Sequence, residues 1–354
     1  MGLNWYTVGV KTDGTCVAVG QNDYNQCNVQ DWVNIKQVAC GSTHTVGLKK
    51  DGTCIAVGYN SNNKCNVTGW TDIVQVSCGT YHTVGLKKDK TVIAVGQNDN
   101  GQCNITTWEN IIQVACGNYH TVGLKKDGTC VAVGENTNGQ TNISAWTDII
   151  QISCGGNFTA GLKKNGTVVA IGDNSLNQLD VTSWTGIKQI SCGWGHIVGL
   201  KEDGTCIAVG RNLSNECEVT SWTDIKSLGY NRTSTIGLKS NGTCVAVGDN
   251  TYNQIDITNW TDIAYVMADL APNITPLKFL LKQNNQYYTI KSHFYNGKTY
   301  TPCTKDFPTN GFEDLNRLIQ TVENVERIGT KDVVSEVDVF RFNVGNYANK
   351  IEVM

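Results

Sequence analysis

The sequence predicts an all-β fold, a seven-bladed β-propeller followed by a small α+β module, and three observations carry that prediction. Trp recurs at 32, 70, 108, 146, 184, 222 and 260, always 38 residues apart. Each interval is filled by short β-branched runs separated by turn residues. The repeat region, residues 3–268, is 266 residues long, seven periods of 38. A period of this size marks a solenoid, propeller or array, and four antiparallel strands per unit mark a propeller blade.

The unit from Trp70 to Thr107 shows the elements in order. Ile73 to Cys78 is a first strand, His82 to Lys87 an alternating second, Thr91 to Gly96 a third and Gln102 to Ile105 a weaker fourth. Asp-Gly or Asn-Gly separates the second and third strands in six units, a tight hairpin whose residues tolerate positive φ. Asp89-Lys90 departs from this and predicts a strained or different turn. Nothing in the unit has a 3.6-residue period, which excludes helix. Columns of Gly (9, 47, 85 and onward) and Ala (18, 56, 94 and onward) fit strands crowded near an axis.

The count closes. Leu3 to Asp31 supplies strands two to four, and Trp260 to Ala268 supplies a first strand. One blade is therefore shared by both ends of the repeat region, which removes exposed sheet edges. The boundaries follow: residues 1–269 form the propeller and 270–354 the attachment module.

Cys and His also sit in columns. Cys16, Cys54, Cys130, Cys206 and Cys244 share theirs with Val92 and Val168, so the slot wants a small packed side chain. His44, His82, His120 and His196 share theirs with Phe158, again a packing slot; His293 lies outside it. With no CxxC pair, no nucleophile or Walker motif and no acidic twelfth position after Asn98, the reading is no catalytic residue, no metal and no cofactor.

Composition removes other classes. Charged residues are 17% and net charge is −3, without a Lys/Arg run, which argues against nucleic acid. No apolar run reaches the roughly 18 residues of a membrane span, and no basic-then-apolar leader precedes Trp5. Many unpaired thiols suit synthesis in a reducing cytoplasm.

Individuality collects in two turns of each unit. The loop between strands one and two carries Trp5, Tyr81, Tyr119, Trp194 and Arg232; the loop between strands three and four carries Tyr24 and Tyr252. In an up-down meander both loops emerge on one face. Aromatics and Arg dominate binding hot spots, so Trp5, Tyr81, Tyr119, Trp194 and Arg232 are read as a binding ring, with Tyr24 and Tyr252 peripheral.

The stretch Cys116-Gly-Asn-Tyr-His-Thr-Val-Gly-Leu-Lys-Lys-Asp-Gly-Thr-Cys-Val-Ala-Val-Gly resembles the repeat of the regulator of chromosome condensation family. The resemblance covers residues 3–268 and implies a seven-bladed propeller. The family's eukaryotic founder is a nucleotide-exchange factor that binds chromatin. This chain has no blade insertion and no basic tail, so that activity is not carried over. Its short units look more like bacterial members, among them a secreted inhibitor of β-lactamases. There, aromatics occupy the loop matching Trp5, Tyr81, Tyr119 and Trp194, which implies a protein-binding face.

In the remaining segment, Leu277 to Lys282 and Gln286 to Lys291 read as a hairpin, Tyr295 to Tyr300 as a turn and strand, Phe312 to Val325 as an amphipathic helix, and Val333 to Asn343 and Lys350 to Met354 as strands. Phe279 to Lys291, with Gly311 to Ile319, looks like modules appended to tail-associated proteins of clostridial phages. The expectation is a non-enzymatic component of a phage tail or phage-like bacteriocin. It is made in the cytoplasm and acts outside the cell after lysis. Its propeller recognises a protein or cell-surface glycan, and its module contacts other particle proteins, without membrane insertion. A stand-alone inhibitor or adaptor and a lectin are the alternatives.

Overall fold

The computed structural model describes residues 5–266 and the strands 278–283, 286–291, 326–327, 339–341 and 350–353, with side chains over 5–229 and 232–264. The chain divides into two units, Met1–Pro272 and Asn273–Met354. In the second, five strands form one antiparallel sheet in the order Gln286–Lys291, Lys278–Gln283, Lys350–Val353, Val339–Arg341, Glu326–Arg327. The helix expected over 312–325, the strand over 295–300 and His293 lie outside the described residues.

The first unit is an all-β, propeller-like series of seven three-stranded antiparallel sheets. A representative sheet is Ile73–Cys78, His82–Lys87 and Val92–Gly96. The sheet at the chain ends pairs Tyr6–Lys11 with Cys16–Gly20 on one side and with Ile263–Val266 on the other. Its last strand thus comes from the far end of the repeat region. Across that joint the Thr7 hydroxyl donates to the Gln254 carbonyl at 2.6 Å. Val17 and Val19 pack into the cluster of Ile236, Leu238 and Trp260.

The expected fourth strand does not form, because side chains have taken its backbone groups. In the unit above, the Cys103 amide donates to Asn98 Oδ1 at 2.8 Å, and the Gln102 carbonyl accepts from Thr121 at 2.7 Å. The segment still buries Ile105, but no ladder is left for it to join.

The hairpins also differ from the two-residue form. Only the Gly of each Asp-Gly pair has positive φ, such as Gly52 at 85°. Gly52 N donates to the Lys49 carbonyl and Lys49 N to the Thr53 carbonyl, a three-residue loop with a bulge. The preceding carboxylate caps it: Asp51 Oδ1 accepts from both the amide and the hydroxyl of Thr53. Lys90 adopts the same turn at φ 70°, so the departure costs strain and leaves the turn type unchanged. Lys90→Gly is expected to stabilise the domain by about 1 kcal/mol in urea unfolding, the cost of a left-handed non-glycine residue.

The Gly column has a different cause from crowding at the axis. A Cβ on Gly47 would lie 2.6 Å from Trp32 Cζ3, and one on Gly123 would lie 2.8 Å from Trp108 Cζ3. The Gly and Trp columns are two halves of one contact, 15 residues apart.

Neighbouring sheets are joined by polar bridges as well as apolar clusters. Each first strand carries a bulge; in one it falls between Ile111 and Gln113, opposite Lys125 and Leu124. Gln113 Nε2 donates to the Ile152 carbonyl at 2.9 Å, and its Oε1 accepts from the Ile152 amide at 2.8 Å. Gln37, Gln75, Gln151 and Gln189 make the same double bond to the next sheet. The two remaining positions in this column are Ser227 and Tyr265.

The histidines form a second bridge. His44, His82, His120 and His196 each lie 2.9–3.0 Å through Nε2 from a Thr hydroxyl of the next sheet. Each Thr already donates to a carbonyl, as Thr121 does to Gln102, so Nε2 must be the donor. Burial pulls His82 down to about 3 and His120 and His196 to about 4, so all are neutral at pH 7.

Candidate binding face

Register places the variable loops together. Cys40 opposes Thr45 and His44 opposes Gly58, so the first-to-second and third-to-fourth connections leave the sheet at one end. The capped hairpins leave at the other.

The structure sorts the seven candidate residues into an aromatic arc and a hub. Trp5 stacks on Tyr252 from the preceding sheet, centroids 4.7 Å apart and planes at 15°. Tyr81 stacks on Tyr119 at 5.3 Å and 28°. Tyr24 joins neither pair and packs against Tyr59 at 5.0 Å and 41°. Trp194 stands apart, 38% exposed, its indole over Gly156. Burial and then the adjoining Tyr81 hydroxyl push the Tyr119 phenol up to about 12.

Arg232 faces inward. Its Nη1 donates to Ser42 Oγ at 3.2 Å and its Nη2 to Asn118 Oδ1 at 2.6 Å, on two other sheets. Burial pulls the guanidinium down to about 10, against the electrostatic support of Tyr81 and Tyr119, so it stays charged. With Gly41, Gly79, Gly117, Gly155 and Gly193 it lines a small cavity of about 40 Å³. Backbone bonds link the same loops in series. Asn118 N donates to Gly156 O, Gly156 N to Trp194 O and Trp194 N to Arg232 O.

Two residues of this face escaped the sequence reading. Tyr59, 49% exposed, follows the third strand in a column otherwise Gln, Glu, Asp or Arg. Lys64 stands in a column of Gln (26, 102, 140, 178, 254) and Glu216, and a cation among these acceptors was the available signal. Gln102 Oε1 accepts the Asn100 amide at 3.0 Å. An ammonium cannot accept, and the Lys64 loop instead takes a 3-10 turn over Ser61–Asn63 with Asn62 at φ 57°. Lys64 is 1% exposed. Its Nζ donates to Thr43 Oγ1 at 3.0 Å and lies 5.3 and 5.6 Å from the ring centroids of Tyr59 and Tyr81.

The thiols are packed. Cys16, Cys40 and Cys130 are pushed up to about 12 by burial. Among the described residues, no three His, Cys, Asp or Glu side chains are placed to share a metal ion, and no helix is long and apolar enough to cross a membrane.

Residues 35–64, 73–102, 111–140, 149–178 and 187–216 match the Regulator of chromosome condensation (RCC1) repeat. No curated protein matches the chain. Among solved structures, the CRINKLY WD40 ectodomain of the Arabidopsis thaliana receptor kinase ACR4 is 20% identical, with TM-score 0.59, over 72% of this chain and 94% of that one. The ectodomain of the Physcomitrella patens receptor kinase CR4 is 17% identical, with TM-score 0.59, over 70% and 71%. Prp20p of Saccharomyces cerevisiae, described with its binding to Gsp1p and histones, is 15% identical, with TM-score 0.54, over 78% and 88%. At these identities the likeness is one of fold.

Proposed function

We propose, from a chain whose central units are RCC1 repeats, that the seven sheets close into a ring whose loop face binds another protein without catalysis. The observation that carries this reading is the aromatic arc. Tyr24, Tyr59, Tyr252 and Trp194 are each 38–49% exposed on one face, where a monomer gains nothing from leaving them in water. Preorganised Tyr and Trp pairs bury large area at small entropic cost. A role without catalysis is supported by the histidines and thiols, which are committed to packing.

The resemblance of the C-terminal segment to clostridial phage modules favours a place on a phage tail or phage-like particle. There the second unit would contact other particle proteins while the face meets a cell-surface receptor, protein or glycan, after lysis. Negative-stain images of purified particles carrying labelled protein test this placement, and absence from particles refutes it.

The binding reading is tested by photo-crosslinking. Benzoyl-phenylalanine at Tyr81 or Trp194 of the purified chain is expected to give protein adducts on irradiation with intact recipient cells, and at Lys88 on the hairpin side none. Adducts from Lys88 alone would overturn it. With the adducted partner purified, Trp5→Ala/Tyr81→Ala/Trp194→Ala is expected to weaken binding by about 100-fold or more with the circular dichroism unchanged.

A further inference from the structure

Resting on that reading, the geometry points to a partner that presents cationic side chains. We propose that Lys or Arg of the partner stack on Tyr24–Tyr59 and Trp5–Tyr252, with Asp23 and Asp249 as counter-charges. Three observations converge. First, the chain already places one of its own cations in this setting. Lys64 lies between Tyr59 and Tyr81, within the roughly 6 Å of a cation–π contact. The stack thus runs Tyr24, Tyr59, Lys64, Tyr81, Tyr119 and ends at Tyr24 on an exposed ring. Among the described residues, no cation lies over the Trp5–Tyr252 pair.

Second, each exposed pair has a carboxylate beside it in sequence. Asp23 precedes Tyr24, and its Oδ2 accepts from Gln21 Nε2 at 2.6 Å. Asp249 lies three residues before Tyr252, its Oδ1 accepting from the Thr251 amide at 3.0 Å and also from the Thr251 hydroxyl. Both are bonded to neutral donors, and among the described residues neither forms an ion pair. Third, the cations of these loops are spent internally. Lys64 is buried, Arg211 is paired with Glu216, and Arg232 is bonded to Ser42 and Asn118. The face therefore offers π-clouds and negative charge outward. That combination attracts guanidinium and ammonium groups and repels carboxylates.

The probe is an acetylated octapeptide of alternating arginine and glycine, titrated calorimetrically against the full chain beside its citrulline isostere. The arginine peptide is expected to bind at least tenfold more tightly than the citrulline peptide. Asp23→Asn/Asp249→Asn/Tyr24→Ala/Tyr252→Ala is expected to weaken it at least tenfold. Asp31→Asn/Glu109→Gln, which removes the same two charges at exposed first-strand entries, is expected to leave binding unchanged. Equal affinity for the two peptides, or equal loss in both variants, overturns the proposal. No peptide binding, with adducts still forming at Tyr81 and Trp194, also overturns it and leaves the protein-binding reading standing. Peptide bound at these rings with no protein adduct sinks that reading instead.

Discussion

Lowering the pH from 7 to 5 is expected to remove most of the propeller unit's stability. His44, His82, His120 and His196 are fully buried, and burial holds their folded pKa values far below 6.5, at about 3 for His82 and about 4 for His120 and His196. In the unfolded chain the same imidazoles protonate near pH 6.5. Between about 6.5 and 4 the unfolded state therefore binds more protons, and stability falls as pH falls. Each histidine contributes about 1.4 kcal/mol per pH unit in that window, so the four together give about 5 kcal/mol per unit. That slope is steep against a total of about 5–15 kcal/mol. The Thr-bonded carboxylates Asp13, Asp51, Asp89, Asp127 and Asp203 are also held below their ordinary range, and they act with the same sign at lower pH. Urea unfolding at pH 7, 6 and 5 measures the slope. His120→Phe, which copies Phe158 in the same column, is expected to reduce it by about a quarter. An unchanged slope would show that the imidazoles are not the sensors.

Gln113→Ala is expected to cost about 4 kcal/mol. The side chain satisfies both backbone groups of Ile152 in a fully buried interface. Its loss leaves a donor and an acceptor without partners, at about 1–3 kcal/mol each, and opens a cavity besides. Gln189→Ala provides the graded comparison. Its bond to the Leu228 carbonyl is longer, 3.3 Å, and partly exposed, so about half the effect is expected. Equal midpoints for the two variants in urea would show that the amide bridge does not hold the sheets together.

The first three strands of each unit and the hairpin positions were legible because the pattern is written over and over, and the shared blade followed from where that pattern starts and stops. One irregular unit, such as Asp89-Lys90, cannot hide a column. What stayed illegible was side-chain chemistry acting on backbone. A Gln column at 37, 75 and 113 reads as a polar surface until the bulge beside it turns the amide onto the neighbouring sheet. Gln102 to Ile105 has a strand's composition, yet Asn98 and Thr121 take the hydrogen bonds that a ladder needs. On the face, loop variation located Trp5, Tyr81, Tyr119 and Trp194. Tyr59 and Lys64 lie outside the central loop positions in which that variation is concentrated. Arg232 looked like an anchor for a partner because sequence cannot show a guanidinium bent back over its own loops.

The joint between the chain ends has a mechanical consequence. Ile263–Val266 meets Tyr6–Lys11 and joins the two ends of the repeat region. The amide bridge is missing from this strand's column and from the one before it, which hold Tyr265 and Ser227. A pull on the chain past Ile263–Val266 reaches this ladder, whose sheet lacks the glutamine bridge on both sides, before it reaches any other. The molecule has a latch, placed where a tug on its tail would open it first while the remaining sheets stay buttoned by glutamine.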